Sequence, residues 1–338
     1  MKKKKTKRKL LLRAASLVLA ALILCPMQGI YAEQITESVS AGDFLKVDYN
    51  SDDCPPLVKG VGGEPKHSIS DATIGGINQK CMTIMPDWTN WGYAFNSPIP
   101  KDDGDYEVSF DFSGEELSTE FYTVSLVEKE SLIGEAVYHQ FGLLKITNDG
   151  DFMVAGCATS GIKYSEKKWY NYRLIFNQVS GNLKLVITEK DNPENKAEYS
   201  GACSSTSASA WGASMPDRSY DMLRFGIIGT LNIANISVAE STVDPLSFGV
   251  TSNQVGNIFS MNDEKKLDVS VRNKLNASAD IEIEYEVTNE DGNSVDKGSV
   301  GNLTLGARET ADFSVVPKVE RYDCYDITFK YTCKNKST

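Results

Sequence analysis

Residues 167–190 read Lys-Lys-Trp-Tyr-Asn-Tyr-Arg-Leu-Ile-Phe-Asn-Gln-Val-Ser-Gly-Asn-Leu-Lys-Leu-Val-Ile-Thr-Glu-Lys. Two apolar runs flank Gln178-Val179-Ser180-Gly181-Asn182, the pattern of a β-hairpin. Tyr170, Tyr172, Leu174 and Phe176 share one parity in the first arm, as do Leu183, Leu185 and Ile187 in the second. Side chains alternate faces along a strand, so each arm has one apolar face that must be buried and one mixed face carrying Asn171 and Arg173. The hairpin is therefore expected in the middle of a sheet, with the tyrosine face in the core.

Weaker versions of the same pattern extend in both directions. Residues 81–85, 106–112, 121–127, 141–146 and 152–155 read as strands, and Asp149-Gly150 turns one into the next. Residues 223–228 and 233–238 close this series before Asp244-Pro245. Beyond that boundary, strands are expected at 246–250, 267–271, 281–287, 294–298, 310–316 and 325–331, with Glu290-Asp291-Gly292-Asn293 as a turn. No segment after Glu33 keeps a helical period. The expected fold is all-β, with sheets packed as sandwiches.

At 338 residues the chain has room for about two domains. Its first 32 residues stand apart. A basic head spans residues 2–13, an apolar run spans 17–24, and Ile30-Tyr31-Ala32 offers a cleavage site before Glu33. This is the pattern of a secretory signal peptide, and its apolar run is short for a membrane span. Setting aside its six Lys and two Arg leaves 27 basic against 46 acidic residues, a net charge of −19. Such a chain repels nucleic acid and anionic membranes, which excludes both as expected partners. Export also permits disulfides. Cys54 with Cys81, and Cys157 with Cys203, are reasonable pairs, with free thiols as the alternative. Cys324 and Cys333 bracket one strand, which at about 3.3 Å per residue holds them too far apart to bond.

The arm Trp169-Tyr170-Asn171-Tyr172-Arg173-Leu174-Ile175-Phe176 with its Gly181 turn resembles the central hairpin of concanavalin A-like or laminin G-like jelly rolls. Arg224-Phe225-Gly226 and Ile233-Ala234-Asn235-Ile236-Ser237-Val238 are similar to that family's last strands, with Ala234 where an Asp often stands. The resemblance covers roughly residues 43–240, and its motifs mark fold more than ligand. Residues 33–241 are thus expected to form a concanavalin-like jelly roll. Residues 245–338, with Gly256-Asn257-Ile258-Phe259 and the strands after it, look like the immunoglobulin-like sandwiches ahead of catalytic barrels in large secreted bacterial glycosidases. Only six residues follow Tyr331 and the one after it, so the sandwich's final strand is expected to be missing. Either the sandwich keeps an open edge, or the chain is the front part of a longer polypeptide.

Chemistry is sparse. Glu282, Glu284 and Glu286 alternate on one strand, as acids do in concanavalin-like glucanases, but the opposite parity is Ile281, Ile283, Tyr285 and Val287, which makes the acids a solvated face. Glu107 and Asp111 are the nearest counterpart in the jelly roll, with Ser109 between them. His67 and His139 are the only histidines, without a nucleophile-elbow glycine pattern or a zinc spacing. No enzyme activity is expected. Binding has more support. Trp88, Trp91 and Tyr93 cluster between two strands, and Trp211 sits in a Ser/Ala-rich loop. Aromatic faces on the loops of a rigid β scaffold suit the C–H faces of sugar rings. Arg173 is a further candidate on the polar face of the hairpin. Asp102, Asp103 and Asp105 could hold a structural calcium, although an acidic turn without metal is the commoner outcome and no EF-hand spacing is present. No other cofactor is expected. The expectation is a secreted, extracellular, non-catalytic carbohydrate-binding protein whose partner is a glycan or polysaccharide. The alternatives are a structural or adhesive protein without a sugar site, and an accessory part of a larger glycoside hydrolase.

Overall fold

A computed structural model describes residues 30–34, 43–51, 54–59, 67–85, 93–100, 102, 104–117, 119, 122–128, 140–202, 220–226, 229–254, 257–260, 263–320 and 324–335. All regular structure among them is β-strand, as the period-2 patterning expects. The chain forms two compact units, residues 41–243 and residues 1–40 with 244–338.

In chain order the strands begin with β1 (Ile30–Gln34), β2 (Asp43–Val47), β3 (Val58–Lys59), β4 (His67–Ile74), β5 (Ile77–Ile84) and β6 (Tyr93–Ile99). Next come β7 (Asp105–Glu115), β8 (Val124–Val127), β9 (Gln140–Ile146), β10 (Phe152–Val154), β11 (Cys157–Ala158) and β12 (Ser160–Gly161). The first unit closes with β13 (Tyr170–Asn177), β14 (Asn182–Glu189), β15 (Lys196–Ala202), β16 (Tyr220–Phe225) and β17 (Thr230–Glu240). The second holds β18 (Leu246–Thr251), β19 (Leu267–Asn273), β20 (Ala279–Asn289), β21 (Ser294–Leu305), β22 (Thr310–Val315) and β23 (Tyr325–Asn335).

The opening hairpin is β13–β14, paired from Tyr170↔Glu189 to Phe176↔Leu183. Its turn is set by Asn177, whose side-chain oxygen accepts from the Val179 and Ser180 amides, and by Gly181 at φ 71°, where a side chain would be strained. Tyr170, Tyr172, Leu174 and Phe176 are all buried, as their parity requires. β13 also pairs with β7, which places Tyr172 opposite Phe110, and the two rings stack at 4.5 Å and 9°. The Tyr172 hydroxyl donates to the Leu143 carbonyl at 2.8 Å, tying this sheet to the facing one.

The two sheets of the first unit run β12-β15-β14-β13-β7-β17-β5-β4, with β2 also on β17, and β11-β10-β9-β8-β16-β6-β3. Sequence neighbours are repeatedly split between sheets, the crossover arrangement of a jelly-roll sandwich. One core lies between them, with Phe110, Phe112, Tyr170 and Tyr172 from one side and Phe95, Phe141, Leu126 and Phe225 from the other.

The second unit sets β18-β19-β22 against β1-β23-β20-β21. Leu267, Val269 and Val271 meet Ile281, Ile283 and Phe329 in its core, and Phe248 stacks on Phe329 at 5.6 Å. The open edge expected beside the last strand carries β1 in parallel, from Ile30↔Ile327 to Gln34↔Tyr331. Residues 33 and 34 therefore belong to this unit and not to the head of the first, and the bond after Ala32 lies inside a strand.

The thiols correct two expected disulfides. Cys54, Cys81, Cys157 and Cys333 are free, so neither Cys54–Cys81 nor Cys157–Cys203 forms. Cys54 Sγ is turned toward the Asp48 and Ser51 carbonyls, while Cys81 packs against Trp169 and Ala234. Cys324 is disulfide-bonded, and not to Cys333.

Candidate functional site

Each sheet of the first unit has one face in the core and one turned away from it. On the nine-stranded sheet the outward parity of β7 is Asp105, Glu107, Ser109, Asp111 and Ser113. Asp111 is buried and saturated. Its Oδ1 accepts from Asn171 at 2.9 Å, and its Oδ2 accepts from Lys190 and Asn235, both at 2.6 Å. Lys190 also donates to Gln79 at 2.6 Å. Asn235 is exposed and meets Asp111 where the β17 register slips between Ala234 and Ser237, with Asn235 at φ 51°. Beside this cluster Arg173 forms a bidentate pair with Glu107, Nε–Oε1 and Nη2–Oε2 each 2.8 Å. The face carries fixed polar groups that already hold one another.

The seven-stranded sheet differs. Leu223 and Phe225 of β16 point into the core, which turns Met222 and Arg224 outward; by the same alternation β8 sends Ser125 outward and Leu126 inward. The register lines up Ala94, Arg224, Ser125 and Gly142 in one row across β6, β16, β8 and β9. The adjacent row is Asn96, Met222, Val127 and Gln140. Arg224 thus stands among small residues. A Cβ at Gly142 would lie 2.4 Å from the ring of Tyr122, a buried member of the core cluster.

Arg224 is 8% exposed and has no hydrogen-bond or ion-pair partner among the described residues. Its Nε is buried unpaired, as are Ser125 Oγ and Gln140 Oε1 on the same face. Burial alone pulls the guanidinium down to about 10, since water is withdrawn from the cation and no anion replaces it. The side chain runs along its strand, because a Cβ on Gly226 would sit 3.0 Å from Arg224 Nη2. That is the end of β16 where Phe225 pairs with Tyr93, the residue at which the 86–92 segment enters β6.

The sequence-predicted residues divide accordingly. Trp88, Trp91 and Trp211 lie outside the described residues. The segments that carry them join the adjacent strands β6 and β16, at opposite ends of that pair, since Tyr93 faces Phe225 and Ile99 faces Tyr220. Tyr93 is buried with Phe95 and Ile99 on the core parity, its hydroxyl 3.2 Å from His67 Nδ1, so it is not presented on the outer face. Arg173 is half exposed but on the other sheet, committed to Glu107. His139 lies outside the described residues. Trp169, expected to pack, is 1% exposed.

The acidic turn is locally used as well. Asp102 Oδ1 accepts from the Tyr106 hydroxyl at 2.5 Å and the Gly104 amide at 2.8 Å, and Asp105 accepts from Asn177 at 2.8 Å. Asp103 lies outside the described residues, and among the described ones no group of three or more His, Cys, Asp or Glu could hold a metal.

The β20 acids alternate with a buried face, as expected: Ile281, Ile283 and Val287 are buried while Glu282 and Glu284 are exposed. Glu286 is held by Lys297 at 2.8 Å and by Lys330 at 3.3 Å, and hydrogen bonds from Lys297 and Ser294 lead in lowering its pKa to about 2. Its folded-state pKa lies below the ordinary 4.5, so its contribution is complete above about pH 4.5 and fades as pH falls toward 2. Side-chain carboxyl NMR should place its midpoint near 2, and a midpoint at 4.5 would refute the pairing.

No family model matches the chain, and no curated protein matches it. Among solved structures, the catalytic domain of the glycoside hydrolase family 131 protein from Coprinopsis cinerea is similar at 11% identity, 55% of this chain, 84% of that one and TM-score 0.31. A lectin from Bauhinia forficata in complex with GalNAc gives 11% identity, 60% and 99% coverage and TM-score 0.32. Peanut lectin with a nine-residue peptide gives 7% identity, 61% and 98% coverage and TM-score 0.33. These values are too low to support the fold, which rests on strand order and burial above.

Proposed function

We propose that this protein is an exported, non-catalytic carbohydrate-binding protein. Its site is expected on the segments that carry Trp88, Trp91 and Trp211, which join the adjacent strands β6 and β16. The observation that carries this reading is the jelly-roll scaffold, two sheets on one core that fix the strands these segments join. The smaller sandwich is a separate immunoglobulin-like module.

A polysaccharide pull-down and glycan array with the exported full-length chain test this. Retention on at least one glycan is expected, with mass spectrometry placing the mature N-terminus at Glu33. The double change Trp88→Ala/Trp91→Ala should weaken retention by at least about tenfold, the scale of losing aromatic anchors. Equal signals for wild type and double variant, or no retained glycan at all, would sink the proposal.

A further inference from the structure

One edge of the larger sheet is unguarded. β4 ends the nine-stranded order, and residues 67–71 are all exposed. The other ends of the two sheet orders in this unit, β12, β11 and β3, are two-residue strands, and β2, off the main order, carries Lys46. Short edges and lysines are common devices that keep one sheet from pairing with another. β4 has neither. It runs His-Ser-Ile-Ser-Asp-Ala-Thr-Ile over eight residues, without Pro, Lys or a bulge, in unbroken register with β5 from His67↔Ile84 to Ile74↔Ile77. From this edge we infer that two copies of the chain join β4 to β4, antiparallel, about a two-fold axis at Ile69.

The hairpin turn decides which backbone groups face outward. Gly75 and Gly76 stand at φ 58° and 81°, a two-residue turn with both central residues left-handed, and the pair flanking such a turn, Ile74↔Ile77, is hydrogen-bonded. Bonded pairs alternate along an antiparallel ladder. Ser68 and Ser70 therefore bond to β5, while His67, Ile69 and Asp71 turn their N–H and C=O groups to the open side. A second β4 must set these outward residues opposite one another, so its register moves in steps that keep their parity. An axis at Asp71 places carboxylate against carboxylate. An axis at Ser70 places each Ile69 against an Asp71. The axis at Ile69 places Ile69 against its own copy and His67 against Asp71 twice. Opposite-charge and apolar pairs favour a ladder, and like charges facing each other oppose it, which selects the last register. Within its own chain His67 Nδ1 lies 3.2 Å from the Tyr93 hydroxyl, which leaves Nε2 to meet the carboxylate. Ile69, 48% exposed in one copy, gains cover at the axis. The contact is isologous and closes on itself, so assembly stops at two copies. It is also small, so dissociation is expected in the micromolar range, and Ile69 stays in solvent at the lower concentrations that suit fluorescence.

Sedimentation equilibrium of the full-length chain tests the pairing. A monomer–dimer equilibrium is expected, and Ile69→Lys, which brings two ammonium groups together at the axis, should raise the dissociation constant at least about tenfold. His67→Asp and Asp71→His should each weaken the dimer, and the double exchange His67→Asp/Asp71→His should restore it. Unchanged tryptophan fluorescence spectra identify the variants that keep their fold. A mutation-free check is amide exchange at high and low protein concentration. The Ile69 and Asp71 amides should slow in the dimer, while those of Ser68 and Ser70, already bonded to β5, should not change with concentration. A chain that stays monomeric to its solubility limit would overturn the inference, as would a dimer indifferent to Ile69→Lys. A double exchange no tighter than the single variants, or Ile69 and Asp71 amides indifferent to concentration, would overturn it as well.

Discussion

Replacing Lys190 by Met is expected to cost the first unit about 3 kcal/mol, because it strips the counter-charge from a carboxylate that water cannot reach. Asp111 is 4% exposed at its side chain, and Lys190 Nζ lies 2.6 Å from Oδ2. Asn171 and Asn235 would still donate to Asp111, which limits the loss, but neither brings charge. All four tryptophans belong to residues 41–243, so tryptophan fluorescence during denaturant unfolding reports this unit alone. Adding Asp111→Asn to the Lys190→Met variant should recover most of the loss, since the charge left without a partner is then gone. A Lys190→Met variant within about 0.5 kcal/mol of wild type would mean that the pair is solvated and contributes little.

The second large effect is expected from Phe110→Ala, at about 4 kcal/mol, the usual cost of emptying a ring-sized site in a packed core. Phe110 is fully buried, stacks on Tyr172 at 4.5 Å and meets the edge of Phe112 at 5.9 Å. These rings belong to β7 and β13, the two strands at the centre of the larger sheet. The same fluorescence midpoint should drop sharply for Phe110→Ala. It should stay within about 0.5 kcal/mol for Ile69→Ala, an exposed control. Similar shifts for the two variants would show that the core does not close around the stacked pair.

Why the hairpin could be read and the burial of Arg224 could not follows from solvent. β13 and β14 are wet on one side, so tyrosine, leucine and phenylalanine alternate with asparagine, arginine and lysine, and the period announces the strand. β16 is buried on both faces from Met222 to Phe225, so Met-Leu-Arg-Phe shows no alternation. What the sequence does contain is one charge inside a short apolar run, and that is the signal that could have pointed to Arg224. The Asp111–Lys190 contact was equally silent, because it joins residues 79 apart through a register that no local pattern encodes. Cysteine counting failed for the same reason: parity of number suggests pairs, whereas the thiols of Cys54 and Cys81 are oriented by a turn and by a tryptophan. Tyr93 was placed with its aromatic neighbours by proximity in sequence, yet strand parity sends it inward.

A chain cut after Ala32 would lose part of the parallel contact between β1 and β23. Five residue pairs join the strands, and a cut after Ala32 would remove three of them, Ile30↔Ile327, Tyr31↔Thr328 and Ala32↔Phe329. β1 caps that edge of the smaller sandwich, and such a cut would leave amide and carbonyl groups of β23 open to pairing with another strand.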